Sequence, residues 1–422
     1  MKNFLITGPT KAVRGQVIIS GAKNSCLPLM ASSILFEKKV LLKNVPFVED
    51  VFTMIKLLNS LGSKVKYSIK SKTLEIKNEK KHKLFVPYKL VSTMRAGVLT
   101  MGPLLGRYQK KKIYIAKSGG CSLGIRDINY HLSGFETLKA KNTLKKGYVL
   151  INSRSGLVGS TYKFPEVSVT GTSNLIMASV LAKGKQILKN ISIEPEVIDL
   201  VNFLNKSGAK IKFLSDRSVE VKGVKKLIEG EHEIIGDRIE AFSYLCVGAI
   251  TKGKILVKNI DPIFLKTELR VLRDIGCKIR TFKNSIQLES SKKLKSTKIK
   301  TGPFPGYATD NMPMLLALMT TIEGKSYIEE TIFSNRFMAA PELSRMGAKI
   351  YVNKNKATIV GQKNLNAADC ISSDLRTTFS IILGAIIAKG KSKVQRVYHG
   401  LRGYYNLQHK LKKLGVKIQI VA

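Results

Sequence analysis

The stretch VLRDIGCKIRT, residues 271–281, reads as the end of a helix, a stop and the start of a strand. Leu265, Leu269 and Leu272 fall at i, i+4 and i+7, one face of a helix. Gly276 supplies the left-handed residue that ends it. Beyond it, Cys277 and Ile279 alternate with Lys278 and Arg280 at the period of a half-buried strand. The same reading fits LLNSLGSKVKY (57–67), FLNKSGAKIKF (203–213), ELSRMGAKIYV (342–352) and KLKKLGVKIQI (410–420). GFETLKAKNTL (134–144) is a weaker sixth copy that has lost the glycine. Gly208, Gly276, Gly347 and Gly415 follow one another at about 70 residues, which is too long for a common solenoid repeat and suits a βαβ-type unit.

A second segment alternates with the first. Its copies begin at KNSCLPLMASS (23), TMRAGVLTMGP (93), TGTSNLIMASV (170), DRIEAFSYLCV (237), TDNMPMLLALM (309) and SDLRTTFSIIL (373). Each opens on polar or charged residues and then runs apolar on nearly all sides, the pattern of a helix buried at the centre of a domain. Six buried helices with six amphipathic ones outside them predict two similar α/β domains of three repeated units each.

The openings of these helices bear Lys23, Asn24, Arg95, Asp237, Arg238, Asp310, Asp374 and Arg376. A helix N-terminus offers unpaired N–H groups and a positive dipole end, a seat for phosphate or carboxylate. Aspartate there is also an ordinary cap. Lysine and arginine are poor caps repelled by the dipole, so their recurrence at these openings predicts a cleft that binds multiply charged anions.

Composition sets the outer bounds. A chain of 422 residues exceeds one ordinary core. No apolar run reaches the roughly 18 residues of a membrane span, and MKNFLITGPT lacks a signal peptide's apolar core. Five cysteines, without metal-ligand spacing, predict a reduced cytosolic protein with no metal and no cofactor. The net charge of +43 invites a nucleic-acid reading. Its lysines are scattered through strands and turns, however, without a dedicated basic domain, and the chain has no tryptophan and no aromatic-basic motif of an RNA-binding sheet, so nucleic acid is not expected as the main partner. Nor is a membrane.

These stretches also resemble one family over the whole chain. GPTKAVRGQVIISGAKNSCLP, STMRAGVLTMGPL, GGCSLGIRDINYHLSGFE, EPEVIDLVNFLNKSGAKI, DRIEAF, TDNMP, NRFMAAPELSRMGAKI, SDLRTTFS and YHGLRGYYNLQHKLKKLGVKI together resemble the enolpyruvyl transferases. The resemblance implies two inside-out α/β barrel-like domains, each of three βαβαββ-type units with buried helices. They would span 22–235, which carries the cysteine loop, and 236–422, to which the first strand, residues 1–21, returns. It implies that phosphoenolpyruvate and UDP-N-acetylglucosamine are the substrates. The enolpyruvyl group passes to the sugar 3-hydroxyl by addition and elimination, with release of phosphate.

By the same resemblance Cys121, in the loop AKSGGCSLGIRD, is a reactive thiol that acts as general acid. Gly119 and Gly120 suit a movable loop, and the nearby cations Lys117 and Arg126 favour a thiolate. Lys23, Arg126 and Arg402 resemble residues that grip phosphoenolpyruvate, and Asp310 resembles the base at the sugar hydroxyl. Asn24, Arg95, Arg336, Asp374 and Arg376 resemble supporting residues of the cleft. Ser168, Val169 and Ile332 lie where the family holds the sugar nucleotide, and Arg126, Asp127, Ile128, Asn129 and Tyr130 where it holds the uracil.

The chain departs from the family pattern at several nucleotide contacts. Asp127-Ile128-Asn129 replaces Pro-Val-Asp, Glu166 stands where a lysine is common, Asn311-Met312-Pro313-Met314 replaces Leu-Gln-Ala-Gln, and Leu401 replaces an aspartate. Two alternatives stand beside the main expectation. One is the sister activity on shikimate 3-phosphate, disfavoured by GAKN at residues 21–24 and by the cysteine loop. The other is a binding protein that keeps the fold with impaired turnover.

Overall fold

The computed structural model describes residues 2–78, 81–91, 95–116 and 128–421, with Arg95 described in its backbone alone. The chain divides into two compact units. One is made of Met1–Ser20 and Gly236–Ala422, the other of described residues between 21 and 235.

Each unit contains three four-stranded sheets with one topology. In the repeat that runs from 161 to 222, the edge strand Thr161–Lys163 leads into the buried helix Val169–Ser179. The chain returns as Lys185–Lys189, parallel to the edge strand. The amphipathic helix Pro195–Lys206 follows, and the hairpin Lys210–Ser215 with Ser218–Lys222 completes the sheet. Only the parallel step needs a helical crossover; the hairpin closes tightly. The sheets that begin at Phe85–Val86 and Lys298–Lys300 repeat this chain path, and the other three keep the same spatial order of strands while taking one strand from a distant part of the chain. The expected α/β class with three βαβαββ units per domain is therefore the observed one.

The helices expected at the centre are the buried ones. All residues of Arg238–Ile250 and Met312–Met319 are buried, as are Arg376–Ile386 of Leu375–Ile387. These three pack on one another inside their unit. The amphipathic helices lie outside them: in the helix Lys266–Asp274 only Glu268, Leu269, Val271 and Leu272 are buried. Gly276 then adopts φ +109°, the left-handed stop read from the sequence. In the sixth copy Lys139 takes that place with φ +68°. The turn survives without its glycine, at a cost of roughly 1 kcal/mol for a side chain in the left-handed region.

Residues 1–21 are not one returning strand. They form two, Asn3–Gly8 and Arg14–Ile18, in two different sheets of the same unit. The first lies between Gly390–Gln395 and Lys417–Val421, and the second is the parallel edge beside Lys254–Lys258. The break falls at Gly8, where a Cβ would meet the Ala388 carbonyl at 2.4 Å.

A small device recurs where the parallel strand ends. Asn44, Asn190 and Asn259 are left-handed, with φ of 56°, 54° and 64°. Each donates its side-chain amide to a carbonyl just past the neighbouring edge strand: Ile234 at 2.8 Å, Phe164 at 2.9 Å and Ile19 at 2.8 Å. At the first and third of these, a glycine lets the backbone approach. A Cβ on Gly21 would meet the Asn44 carbonyl at 1.8 Å, and one on Gly236 the Asn259 carbonyl at 1.9 Å.

Candidate active site

In the unit that contains Gly236–Ala422, the starts of the three buried helices are joined by charge. Asp310 precedes Met312–Met319 and accepts from two guanidinium groups. Arg336 Nη2 donates to its Oδ1 at 2.6 Å, and Arg376 Nη2 to its Oδ2 at 2.9 Å. Arg376 Nε adds a third bond at 3.2 Å. The arginine side chains are 1% and 4% exposed, against 28% for the aspartate. The carboxylate is thus the exposed end of a buried cationic pair. Burial pushes the pKa of the Arg376 guanidinium down, but Asp310, Tyr404 and Asp237 outweigh it, raise the pKa and hold the group charged.

The capping reading applies to the other aspartates. Asp237 accepts from Ile239 N at 2.9 Å and Glu240 N at 3.0 Å, and Asp374 from Arg376 N at 2.8 Å and Thr377 N at 3.1 Å. Ser168 likewise caps Val169–Ser179 through Gly171 N at 3.1 Å. Asp310 is held by arginines instead.

Tyr404 closes the group from the other side. It is 1% exposed, its hydroxyl lies 2.9 Å from Ser243 Oγ, and it accepts from Arg376 Nη1 at 3.4 Å. Two residues before it stands the half-buried Arg402. Burial, with Arg402 and Arg396, lowers the pKa of His399 against the opposing pull of Asp374. Ile332, 37% exposed, is held by Glu330, whose Oε1 accepts from Ile332 N at 2.8 Å and Phe333 N at 3.0 Å. Sequence reasoning missed Tyr404 and Glu330.

In the other unit, Lys23 opens the helix Lys23–Ser32 and bonds Asp50 Oδ2 at 3.0 Å, with both side chains largely buried. Asn24 beside it is exposed. Ser25 donates to Asp199, 3% exposed, whose other oxygen meets His232 Nε2 at 2.7 Å. Two acids from different helices therefore fix the first turn that presents Lys23. Neither Asp50 nor Asp199 was read from the sequence.

The two segments expected at the nucleotide also meet in this unit. Thr170, following Ser168 and Val169, lies 3.3 Å from His131 Nε2, and His131 Nδ1 lies 2.9 Å from Asn174 Nδ2. His131 belongs to the helix Asn129–Thr137, which also carries Tyr130. Tyr130 contributes its carbonyl to the Tyr162 hydroxyl at 3.1 Å. Ile128 is buried, while Asn129, Glu166 and Val169 are exposed. Arg95 opens the 3₁₀ turn Arg95–Thr100. Cys121, Arg126 and Asp127 lie outside the described residues.

The four described cysteines, Cys26, Cys246, Cys277 and Cys370, are buried. Burial pushes each thiol up, to about 11 for Cys277 and about 12 for Cys370. Such thiols are poor nucleophiles. Among the described residues no cluster of metal-ligating side chains occurs, and no helix is long and apolar enough to cross a membrane.

Comparison with known proteins adds the following. The profile of the family described as EPSP synthase (3-phosphoshikimate 1-carboxyvinyltransferase) matches residues 7–411. A protein of Pelagibacter ubique named UDP-N-acetylglucosamine 1-carboxyvinyltransferase is 46% identical over 419 residues, covering 99% of each chain. One of the same name from Endomicrobium trichonymphae is 42% identical over the full length of both. Among solved structures, the enolpyruvyl transferase NikO from Streptomyces tendae superposes with a TM-score of 0.89 at 20% identity, covering 100% of this chain and 99% of that one. An EPSP synthase from Acinetobacter baumannii reaches 0.79 at 17% identity, with both chains covered in full.

Proposed function

The chain belongs to the EPSP synthase family of enolpyruvyl transferases, and from that premise we propose that it passes the enolpyruvyl group of phosphoenolpyruvate to the 3-hydroxyl of UDP-N-acetylglucosamine. The carrying observation is full-length identity of 46% and 42% to relatives named for that reaction. EPSP synthases of solved structure share 17%, so shikimate 3-phosphate is the less supported acceptor. The product is a precursor of peptidoglycan.

In the proposed reaction the sugar hydroxyl oxygen bonds to C2 of phosphoenolpyruvate while a proton is delivered to its methylene carbon. Elimination then breaks the C2–O bond to phosphate, and the new methyl group gives up a proton. Cys121 supplies the first proton and Asp310 receives the one from the hydroxyl. Lys23, Arg126 and Arg402 hold the phosphate and carboxylate, for which guanidinium forks are well shaped.

The Arg336–Asp310–Arg376 arrangement supports this assignment of Asp310. Its position is held by two buried cations, and a fixed carboxylate at a helix start can meet a hydroxyl with little reorganisation. Asn24, Arg95, Asp374 and Ile332 support the same acceptor, as do Ser168, Val169 and the 126–130 segment. Glu166 in place of a cation predicts weaker hold on the diphosphate. No nucleic acid, membrane or cofactor enters the reaction.

Purified protein given phosphoenolpyruvate is expected to release phosphate with UDP-N-acetylglucosamine and not with shikimate 3-phosphate, and Cys121→Ala is expected to abolish it. Release with shikimate 3-phosphate alone would reverse the acceptor assignment, and release with neither would favour a binding role.

A further inference from the structure

One of the six sheets differs from the rest in charge. Five include at least one acid in their strands, Glu75, Glu220, Glu289, Glu329 and Asp369 among them. Four of these acids pair with a lysine of the same sheet, for example Glu220 with Lys185 at 3.3 Å and Glu289 with Lys254 at 3.2 Å. The sheet of Phe85–Val86, Ile113–Ala116, Tyr148–Asn152 and Lys141–Lys145 has no acid in any strand.

Its outward face carries exposed aromatics, as does that of the sheet with Tyr327 and Tyr351, but here no acid stands in the strands with them. Phe85 is 50% exposed and Tyr114, its register partner on the next strand, 37%. Phe85 also stacks on Tyr148, with ring centroids 5.0 Å apart at 30°. Tyr114 and Tyr148 stand on the two central strands; the exposed Lys112 comes two residues before Tyr114, and the exposed Lys141 and Lys145 stand on the edge strand next to that of Tyr148. The three aromatics lie far apart in sequence, so no contiguous motif announced them; the register assembles them.

From this juxtaposition we infer that the outward face of this sheet binds single-stranded nucleic acid, its rings stacking on unpaired bases and its lysines meeting the phosphates. Planar rings exposed on central strands offer bases a surface that is indifferent to sequence. Lysine ammonium groups neutralise the backbone with release of counterions. A duplex keeps its bases stacked inside and would leave the rings unused. An acidic polypeptide would meet the lysines but has no planar groups for the rings. None of Phe85, Tyr114, Tyr148, Lys112, Lys141 and Lys145 is among the residues assigned above to the transfer reaction.

The test measures fluorescence anisotropy of a labelled oligo-U of about 12 nucleotides, with heparin, a duplex of equal length and polyglutamate as competitors. The Phe85→Ser, Tyr114→Ser double variant is expected to bind oligo-U at least about tenfold more weakly while binding heparin as before. Lys141→Glu with Lys145→Glu is expected to weaken both and to flatten the salt dependence. Phe85→Leu with Tyr114→Leu keeps apolar bulk without an aromatic face and is expected to match the serine pair, which guards against misfolding. Retained enolpyruvyl transfer reports an intact fold. Oligo-U binding that is absent, or unchanged in both ring variants, would overturn the inference. So would tighter binding of the duplex, or polyglutamate binding with the same dependence on the rings, which would assign the face to an acidic protein segment.

Discussion

Asp310 accepts from two guanidinium groups that are almost wholly buried, so neutralising it strands two cations away from water. Breaking a buried pair in this way costs about 3–5 kcal/mol. Asp310→Asn is therefore expected to lower the thermal midpoint strongly and to cut turnover by about 100-fold or more, the scale of a lost general base. Calorimetry and phosphate release check the two effects; an Asn variant of normal stability would contradict the charge balance described. At the same scale, the thiol-directed inhibitor fosfomycin is expected to add once to the intact protein, at Cys121. The four buried cysteines have raised thiols and should not react, so peptide mapping that finds the adduct on any of them would count against the assignment. Asp310 and Arg376 were legible singly, as charged residues at helix openings. Their contact was not, because it spans 66 residues and no local spacing encodes it. Tyr404 and Asp199 were illegible for the same reason: each is one ordinary residue until the fold sets Tyr404 beside Arg376 and Asp199 beside Ser25 and His232.

Among the elements, the glycine stops were the readable feature, since a left-handed residue after an amphipathic helix has few solutions. Lys139 shows the limit of that reading: the backbone form persisted when the residue that advertises it was gone. The asparagine staple is a second signal, visible as Lys-Asn before Val or Ile in three copies but meaningful only once its carbonyl partners are known. Asn190→Ala loses the left-handed preference and the bond to the Phe164 carbonyl, and about 1–2 kcal/mol is expected to go with them. Asn190→Gly restores the first and should recover part of the loss in urea unfolding; no difference between the two would disprove this division. His82 gives a pH-dependent case. It is buried against Tyr108, Ser63 and Asn78, and burial with the Arg107 guanidinium pushes its pKa down to about 4. Because the folded value lies below the ordinary 6.5, protonation favours the unfolded chain. The stabilisation is complete above about pH 6.5 and is lost as pH falls towards 4, on the order of 3 kcal/mol. Unfolding free energies measured across that window should fall for the natural chain and fall less for His82→Gln; parallel curves would contradict this.

For the whole molecule, the repeat period and the all-round apolar helices made two three-part domains legible. The way the chain closes them was legible only in part: the resemblance implied one strand returning to 236–422, whereas two do, in two different sheets. Residues 1–21 come from the far end of the sequence, and nothing in their composition tells that Asn3–Gly8 enters the middle of a sheet otherwise built from the last residues of the chain. Phe4 and Ile6 are fully buried there, each contributing about 1.5–3 kcal/mol, and removing the strand unpairs both neighbours. Deleting residues 1–8 is expected to leave 236–422 protease-sensitive while a resistant fragment from 21–235 persists. An unchanged digestion pattern would contradict the strand's place in the fold. The charge of +43 was equally plain in the sequence, yet its uneven distribution among six like sheets appears only in three dimensions.

The most direct measurement is the identity of the product formed from phosphoenolpyruvate labelled with carbon-13 at C2 and C3, together with UDP-N-acetylglucosamine. The account predicts an enol ether on the sugar 3-oxygen by NMR, heavier than the acceptor by one enolpyruvyl group and formed one-for-one with phosphate. Unaltered sugar nucleotide, or phosphate released with free pyruvate in place of the ether, would contradict it.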